Sequence, residues 1–306
     1  MRYRFQPWQL ALLVILMCAA VLILTERHYA SRTINEADLV QYLPPDQAVH
    51  VYIDVNALRG GGLLDLLAGS KAAEEPDYRR FVEQTGFDYR TDLEAVAAAF
   101  VHDDTYLVVR GHFEWKRLND YARAQGGSCR NVACTMPANT PGRHISFYPI
   151  QSGILALAVS KEERGIDMIG PRQWKKPPTL PAEPVWVSVP SYMFTDVSNL
   201  PAGTHAFMTP LAQAQGVTFA VGPQGQGFQV RVDVECASPE SGAALAAQLT
   251  STTDLLRKMI EREHMTANPR DFSGVLTAGK FQQEGSRVVG TWPIERGFFE
   301  DLAKAQ

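Results

Sequence analysis

The sequence predicts an α+β fold: two similar halves, each a mainly antiparallel sheet of hairpins with helices packed on one face, preceded by an N-terminal transmembrane helix. Three observations predict it. Apolar, β-branched runs occur in pairs around short polar turns. Segments with apolar residues at helical spacing separate those pairs. The order of the two then recurs on either side of a proline-rich stretch. Hairpins joined by helices give antiparallel sheets, without the alternating single strands and helices of a doubly wound sheet.

In the first half, the Leu43-Pro44-Pro45-Asp46 segment punctuates the chain and VHVYIDV, Val49 to Val55, reads as a lone strand. Leu63, Leu64, Leu66 and Leu67 crowd one side of a short helix ended near Gly69. Tyr78, Phe81, Val82 and Thr85 then fall at i, i+3, i+4 and i+7, with Pro76 suited to a helix start and Gly86 to its end. Val96 to Val101 and Thr105 to Phe113 form a hairpin around His102-Asp103-Asp104, and Glu114 to Gln125 is a helix stopped by Gly126-Gly127. His144 to Pro149 and Gly153 to Ser160 make a second hairpin, and Lys161 to Ile169 reads as a closing helix. Pro171 to Pro184 carries five prolines in fourteen residues, a density that favours extended backbone and marks a connector.

The second half repeats the order. VWVSV, Val185 to Val189, is again a lone strand, and Val217 to Gly222 with Phe228 to Cys236 is a hairpin. Ser238 caps a helix with Pro239 at its first position and an apolar stripe of Leu245, Leu249, Leu256, Met259 and Ile260. Phe272 to Lys280 and Arg287 to Trp292 read as a further hairpin, and Glu295 to Ala305 as a final helix. The first strands of the halves start 136 residues apart and the first hairpins 121 apart, spacings that suggest duplication with a shorter insert in the second half.

Residues 10–24, LALLVILMCAAVLIL, hold no charge and follow Arg2, Arg4 and Trp8. A cleaved signal peptide fits the basic start and the apolar run but lacks small residues placed for the cut; a buried soluble helix is the third alternative. An uncleaved anchor needs about 20 residues, and Phe5 to Leu24 supplies twenty. The anchor is the favoured reading. The basic flank then places residues 1–9 in the cytoplasm and the body outside it, which in a bacterium is a single-pass inner-membrane protein with the lipid bilayer as one partner. The expected organisation is residues 10–24 as anchor, 25–46 as juxtamembrane linker, 47–170 and 185–306 as the α+β domains, and 171–184 as the connector between them.

The 306 residues are 45% hydrophobic and 20% charged, enough apolar mass for a sizeable core. A net charge of −4 argues against wholesale nucleic-acid binding, and the body after residue 24 is more acidic still, at −6. Cys18 lies in the apolar segment. Cys129 and Cys134 flank RNVA: a turn there brings them within disulfide range, whereas one extended strand holds them too far apart. A lone C-x₄-C lacks the further ligands a structural zinc needs.

Candidate sites are sparse. Gly60 to Gly69 lacks the spacing of a phosphate loop, and Gly222 to Gly227 is a hairpin tip. His102-Asp103-Asp104 offers metal-ligand types but reads as a solvated turn. His112, His144, His205 and His264 are scattered singly, and no H-E-x-x-H or G-x-S-x-G occurs. No catalytic, metal or cofactor set is therefore expected. Arg172, Trp174, Lys175 and Lys176, in the connector, are the sharpest charged feature and a candidate docking segment.

LPPDQAVHVYIDVNAL, followed by TGFDYRTDLEAV, resembles the opening of bacterial membrane-anchored envelope proteins of unknown function, through Leu43, Pro44, Asp46, Gly86, Asp88, Asp92 and Leu93. The resemblance covers about Leu43 to Val101 and implies an exported α+β protein with no catalytic residues to carry over. Read from the residues alone, Thr91 with Glu94 fits a capping box. The functional expectation is a non-enzymatic module that binds another envelope protein or helps assemble an envelope complex. The alternative is a lipid- or peptide-binding module with a cleft between the halves near Trp174, Trp186 and Tyr192; an unrecognised hydrolase comes third.

Overall fold

Alternation along VHVYID puts His50 and Tyr52 on one side of an extended segment and Val49, Val51 and Ile53 on the other. In the computed structural model of the chain this segment is strand β1, Val49–Asp54. The structure describes residues 36–45, 47–61, 64, 75–171, 180–195, 205–264, 266–298 and 301. The expected anchor at 10–24 and nearly all of the Leu-rich stretch at 63–67 lie outside the described residues. Among the described residues no helix is long and apolar enough to cross a membrane.

Eleven further strands follow: β2 (Leu93–Val101), β3 (Asp104–Gly111), β4 (Ser128–Arg130), β5 (Ala133–Pro137), β6 (His144–Gln151), β7 (Ile154–Ser160), β8 (Val185–Val189), β9 (Gly216–Gln224), β10 (Gly227–Glu235), β11 (Lys280–Glu284) and β12 (Arg287–Ile294). The expected hairpins β2–β3, β6–β7 and β9–β10 form around their polar turns. The two separate sheets expected from the sequence are instead one. β1 pairs antiparallel with β2 on one edge and with β8 on the other, Val51 opposite Val187, and all twelve strands form a single sheet within residues 39–306, in the order β11-β12-β10-β9-β8-β1-β2-β3-β7-β6-β5-β4. The physical reason lies in the two lone strands: each would expose an unpaired edge, and pairing them removes both edges at once.

The helices are α1 (Glu36–Gln41), α2 (Val55–Gly60), α3 (Pro76–Thr85), α4 (Tyr89–Asp92), α5 (Trp115–Ala124), α6 (His205–Met208), α7 (Pro239–Arg262) and α8 (Phe272–Thr277). Their ends follow local chemistry. The Asp54 side chain accepts from the Ala57 N–H to start α2, and Ser238 caps α7 ahead of Pro239. α3 stops at Gly86, whose φ of 75° lies in the left-handed region. The capping box at the start of α4 uses Asp88 and Asp92 rather than Thr91 and Glu94: Asp88 Oδ1 accepts from the Arg90 N–H, and Asp92 Oδ2 accepts from the Asp88 N–H at 2.8 Å. Glu94 belongs to β2 and pairs with Arg110.

Two expected elements differ. Lys161 to Ile169 is not an α-helix; it makes one 3-10 turn, Gly165–Met168, fixed by the Ser146 hydroxyl, which accepts from the Ile166 N–H. Ile166 and Ile169 are buried there, so a single turn covers what must be covered. Phe272 to Thr277, expected as strand, is helix α8, because the Asp271 carboxylate accepts from the Ser273 N–H and the Asn268 carbonyl from the Gly274 N–H, an N-terminal cap that outweighs the β-preferring side chains. The strand starts only at Lys280.

Register carries one face across the sheet. Val51, Val187, Phe219, Val232, Gly290 and Phe281 are successive cross-strand partners in one direction, and Ala98, Leu107, Leu157, Phe147 and Cys134 continue from Val51 in the other. α5 packs on this face through Leu118 and Ala122 against Phe147 and Leu155. α7 packs on it through Leu245 and Leu249 against Val217, Val232 and Val234. On the opposite face Tyr52 stacks on Trp186 with ring centroids 5.9 Å apart, and the buried His50 side chain donates from Nε2 to the Pro44 carbonyl.

Candidate functional site

The helix-covered face of the second half is built from alternation. Val230, Val232 and Val234 of β10 face the same way as their partners Trp292, Gly290 and Val288 of β12. Gly290 makes a dip in that surface. A Cβ there would lie 2.9 Å from the Trp292 ring and 3.1 Å from Phe281, so the absence of a side chain lets both rings lie down on the sheet, edge to face at 5.2 Å. The Trp292 indole N–H packs against Gly279 and has no hydrogen-bond partner among the described residues.

Three helical segments roof this surface without filling it. Leu249 comes from α7, Phe272, Val275 and Leu276 from α8, and Phe207, Met208 and Leu211 from α6 and the 3-10 turn Thr209–Gln213 after it. Between roof and sheet is a cavity of about 220 Å³ lined by apolar side chains and Gly290. Phe272, 51% exposed, stands where the cavity meets solvent and packs edge-on against Phe298.

The expected sites are dispersed. Cys129 and Cys134 face each other across β4 and β5, with Cα atoms 4.0 Å apart, and their sulfurs are bonded. Arg172, Trp174, Lys175 and Lys176 lie outside the described residues. The His102-Asp103-Asp104 turn joins β2 to β3, and its carboxylates are engaged: Lys161 sits 3.0 Å from Asp103 and holds its carboxyl below the usual range, while Arg143 lies 3.3 Å from Asp104. Among the described residues no three His, Cys, Asp or Glu side chains converge as a metal site requires. Cys236 is buried in the core beside the cavity, and burial pushes its thiol pKa up, away from reactivity.

Of the residues expected to mark a cleft, Trp174 lies outside the described residues, and Trp186 and Tyr192 do not line the cavity. Trp186 is 2% exposed and stacked in the opposite face, and the Tyr192 hydroxyl donates to the Gln47 carbonyl. The cavity walls were legible only in part. The β10 alternation and the Leu249 stripe are plain in the sequence, whereas the roof comes from two short apolar clusters, one read as strand and one unassigned. Phe207, Met208 and Leu211 at i, i+1 and i+4 were the available signal.

No family model matches the chain, and no curated protein matches it in sequence. Similar chain paths occur in solved structures of TP0453. Its crystal form IV gives a TM-score of 0.47 at 14% identity over 88% of this chain and 96% of that one. Its crystal form I gives 0.47 at 12% identity over 87% and 96%.

Proposed function

We propose that the chain is a non-enzymatic binding module, anchored in the bacterial inner membrane by residues 10–24 with its body outside the cytoplasm, and that it holds an apolar ligand in the cavity of its second half. The observation that carries the reading is the cavity itself: a hollow near the sheet's helical roof, lined by apolar side chains and opening beside Phe272. An apolar cavity stays dry and takes apolar guests, as a hollow of about 150 Å³ takes benzene. The Cys129–Cys134 bond supports an oxidising compartment. The order β1-β2-β3-β7-β6 outward on one side of the sheet's centre, extended there by the edge strands β5-β4, and β8-β9-β10-β12-β11 on the other supports descent of the two halves from one duplicated unit. In that reading the first half keeps the filled version of the helix-covered face, packed by Leu118, Ala122, Phe147 and Leu155, and the second keeps the hollow one.

The test is photolabelling. The full chain in nanodiscs is exposed to a diazirine-bearing alkyl probe, with empty nanodiscs as reference, and labelled peptides are mapped by mass spectrometry. Label concentrated on peptides holding Phe272 to Leu276 and Val288 to Trp292 is expected. Label no denser there than on the rest of the body would remove the reading and leave the protein-assembly module in its place.

A further inference from the structure

Resting on that reading, we infer that the cavity takes one unbranched alkyl chain of a single-chain amphiphile, tail first and about nine carbons deep, with its head group outside, and that Gly290 sets the depth. The volume argues for one chain. Scaled from a hollow of about 150 Å³ that accepts the six carbons of benzene, about 220 Å³ accommodates about nine carbons. The lining argues for hydrocarbon. A peptide would bring N–H and C=O groups that must be paired when buried, and the side chains around the cavity are Phe, Met, Leu, Val and Trp, with the Trp292 N–H turned toward Gly279.

The same lining fixes the orientation. Among the described residues no ionisable side chain lines the cavity, so a charged or hydroxylated head stays at the opening, where Phe272 meets solvent. The floor is the dip at Gly290, with the Trp292 and Phe281 rings laid against it. Any side chain at 290 meets those rings at 2.9–3.1 Å and drives them into the space the chain end would occupy. Gly290 is thus a specificity-determining residue for chain length, acting through the two rings it allows to lie flat.

The experiment competes two series, n-alkanoates and n-alkyl glucosides of six to fourteen carbons, against the photolabel on the full chain in nanodiscs, at matched free aqueous concentrations. Affinity is expected to rise about fourfold per methylene, the increment of burying one CH₂, up to about nine carbons and then to level off, at the same length for both head groups. Gly290→Val is expected to move the break two or more carbons shorter. Leu276→Trp, which narrows the cavity from the helix side and leaves the β12 backbone untouched, is expected to do the same and guards against a strand that fails to form. Affinity that climbs unbroken to fourteen carbons, or breaks at different lengths for the two heads, would overturn the inference while the apolar-ligand reading stands. So would an unmoved break in a folded Gly290→Val protein. If the wild-type chain takes no label at these peptides, that reading falls first and this inference falls with it.

Discussion

The Arg59 guanidinium, on α2, donates to the carbonyl of Leu93, 34 residues away, at 2.7 Å. It also donates to the Arg90 carbonyl at 2.7 Å and the Tyr89 carbonyl at 3.5 Å. The Tyr89 and Arg90 carbonyls are ones that the one-turn helix α4 leaves without intrahelical partners, and Leu93 is the first residue of β2. One planar group therefore closes the end of α4 and ties it to α2. Arg59→Ala is expected to lower stability by about 1–2 kcal/mol, and Arg59→Lys to recover little of that, because a single ammonium cannot span the separated carbonyls. Urea unfolding midpoints of the three proteins check this; a Lys variant as stable as wild type would refute the forked contact.

Asp88 makes the other end of the same turn pH-sensitive. Its carboxylate accepts from the Arg90 side chain, the Arg90 N–H and the Tyr78 hydroxyl, and the Arg90 guanidinium at 2.7 Å is the main cause that holds its pKa down at about 2. Burial, with the Asp88 carboxylate adding to it, pushes the Tyr78 phenol up to about 12. Because the folded pKa lies below the unfolded one, the stabilisation is whole above about pH 4 and is lost as pH falls toward 2. Arg90 is half exposed, so solvent screening limits the effect to about 1 kcal/mol. Thermal unfolding between pH 5 and 2.5 is expected to show a shallower acid loss for Asp88→Asn than for wild type.

This α4 region also shows what was legible in the sequence and why. Gly86 is legible in TGFDYRTDLEAV because a left-handed helix end is made within a few residues, whereas the capping box is read there at Thr91 and Glu94 and forms instead at Asp88 and Asp92, a choice among neighbouring acids and hydroxyls that spacing alone does not make. The hairpins β2–β3, β6–β7 and β9–β10 and the helix α7 were legible because a period of two or 3.6 is likewise written along one segment, while the short β4–β5 pair and the start of β11 were not. The pairing of β1 with β8 was not, because nothing at Val49–Asp54 alone says which distant edge it meets. Nor was the cavity: it exists where Gly290, Phe281 and Trp292 from two strands meet side chains of three helical segments, and each residue alone reads as ordinary core. Arg59 was missed because its partners distant in sequence are backbone carbonyls, which carry no residue identity.

The Cys129–Cys134 bond closes a short loop between β4 and β5 at the sheet's edge. Chain-entropy arguments give a loop this short about 2 kcal/mol, and the residues it braces are an edge pair of three and five residues. Cys129→Ala with Cys134→Ala is expected to increase hydrogen exchange across β4 and β5 strongly while β1 and β8 at the sheet's centre stay protected. Uniform loss of protection throughout the sheet would mean that the bond supports the whole fold.

His50 predicts a second, milder pH response. It is 8% exposed, and burial lowers its pKa, opposed by the hydrogen bond it donates to Pro44. A histidine whose folded pKa is depressed leaves the native state binding fewer protons than the unfolded one, so stability is full above about pH 6.5 and falls as pH drops below it, with a slope approaching about 1.4 kcal/mol per pH unit for one proton. Unfolding midpoints from pH 7.5 to 5.5 are expected to decline in wild type and to stay flatter in His50→Gln, which keeps a donor for the Pro44 carbonyl. Equal slopes in the two proteins would assign the decline to other groups.

Val232 offers the test that separates a hollow kept for a ligand from a packing fault. It lies on β10 between Phe219 and Gly290, with its side chain against the cavity. Val232→Leu adds one methylene to the floor, and filling a cavity commonly adds about 0.5–2 kcal/mol. If the hollow is a defect, that gain is the whole consequence. If the hollow is a binding site, the same change is expected to raise the unfolding midpoint of the ligand-free protein while weakening alkyl-chain competition severalfold, because the added carbon occupies space the ligand would fill. Ligand-induced stabilisation reads both effects at once: at a hundred times the dissociation constant a bound chain adds about 2.7 kcal/mol to the wild type, and the variant, measured at that same concentration, is expected to gain less. A variant that is stabilised and still gains the full increment would place the ligand elsewhere.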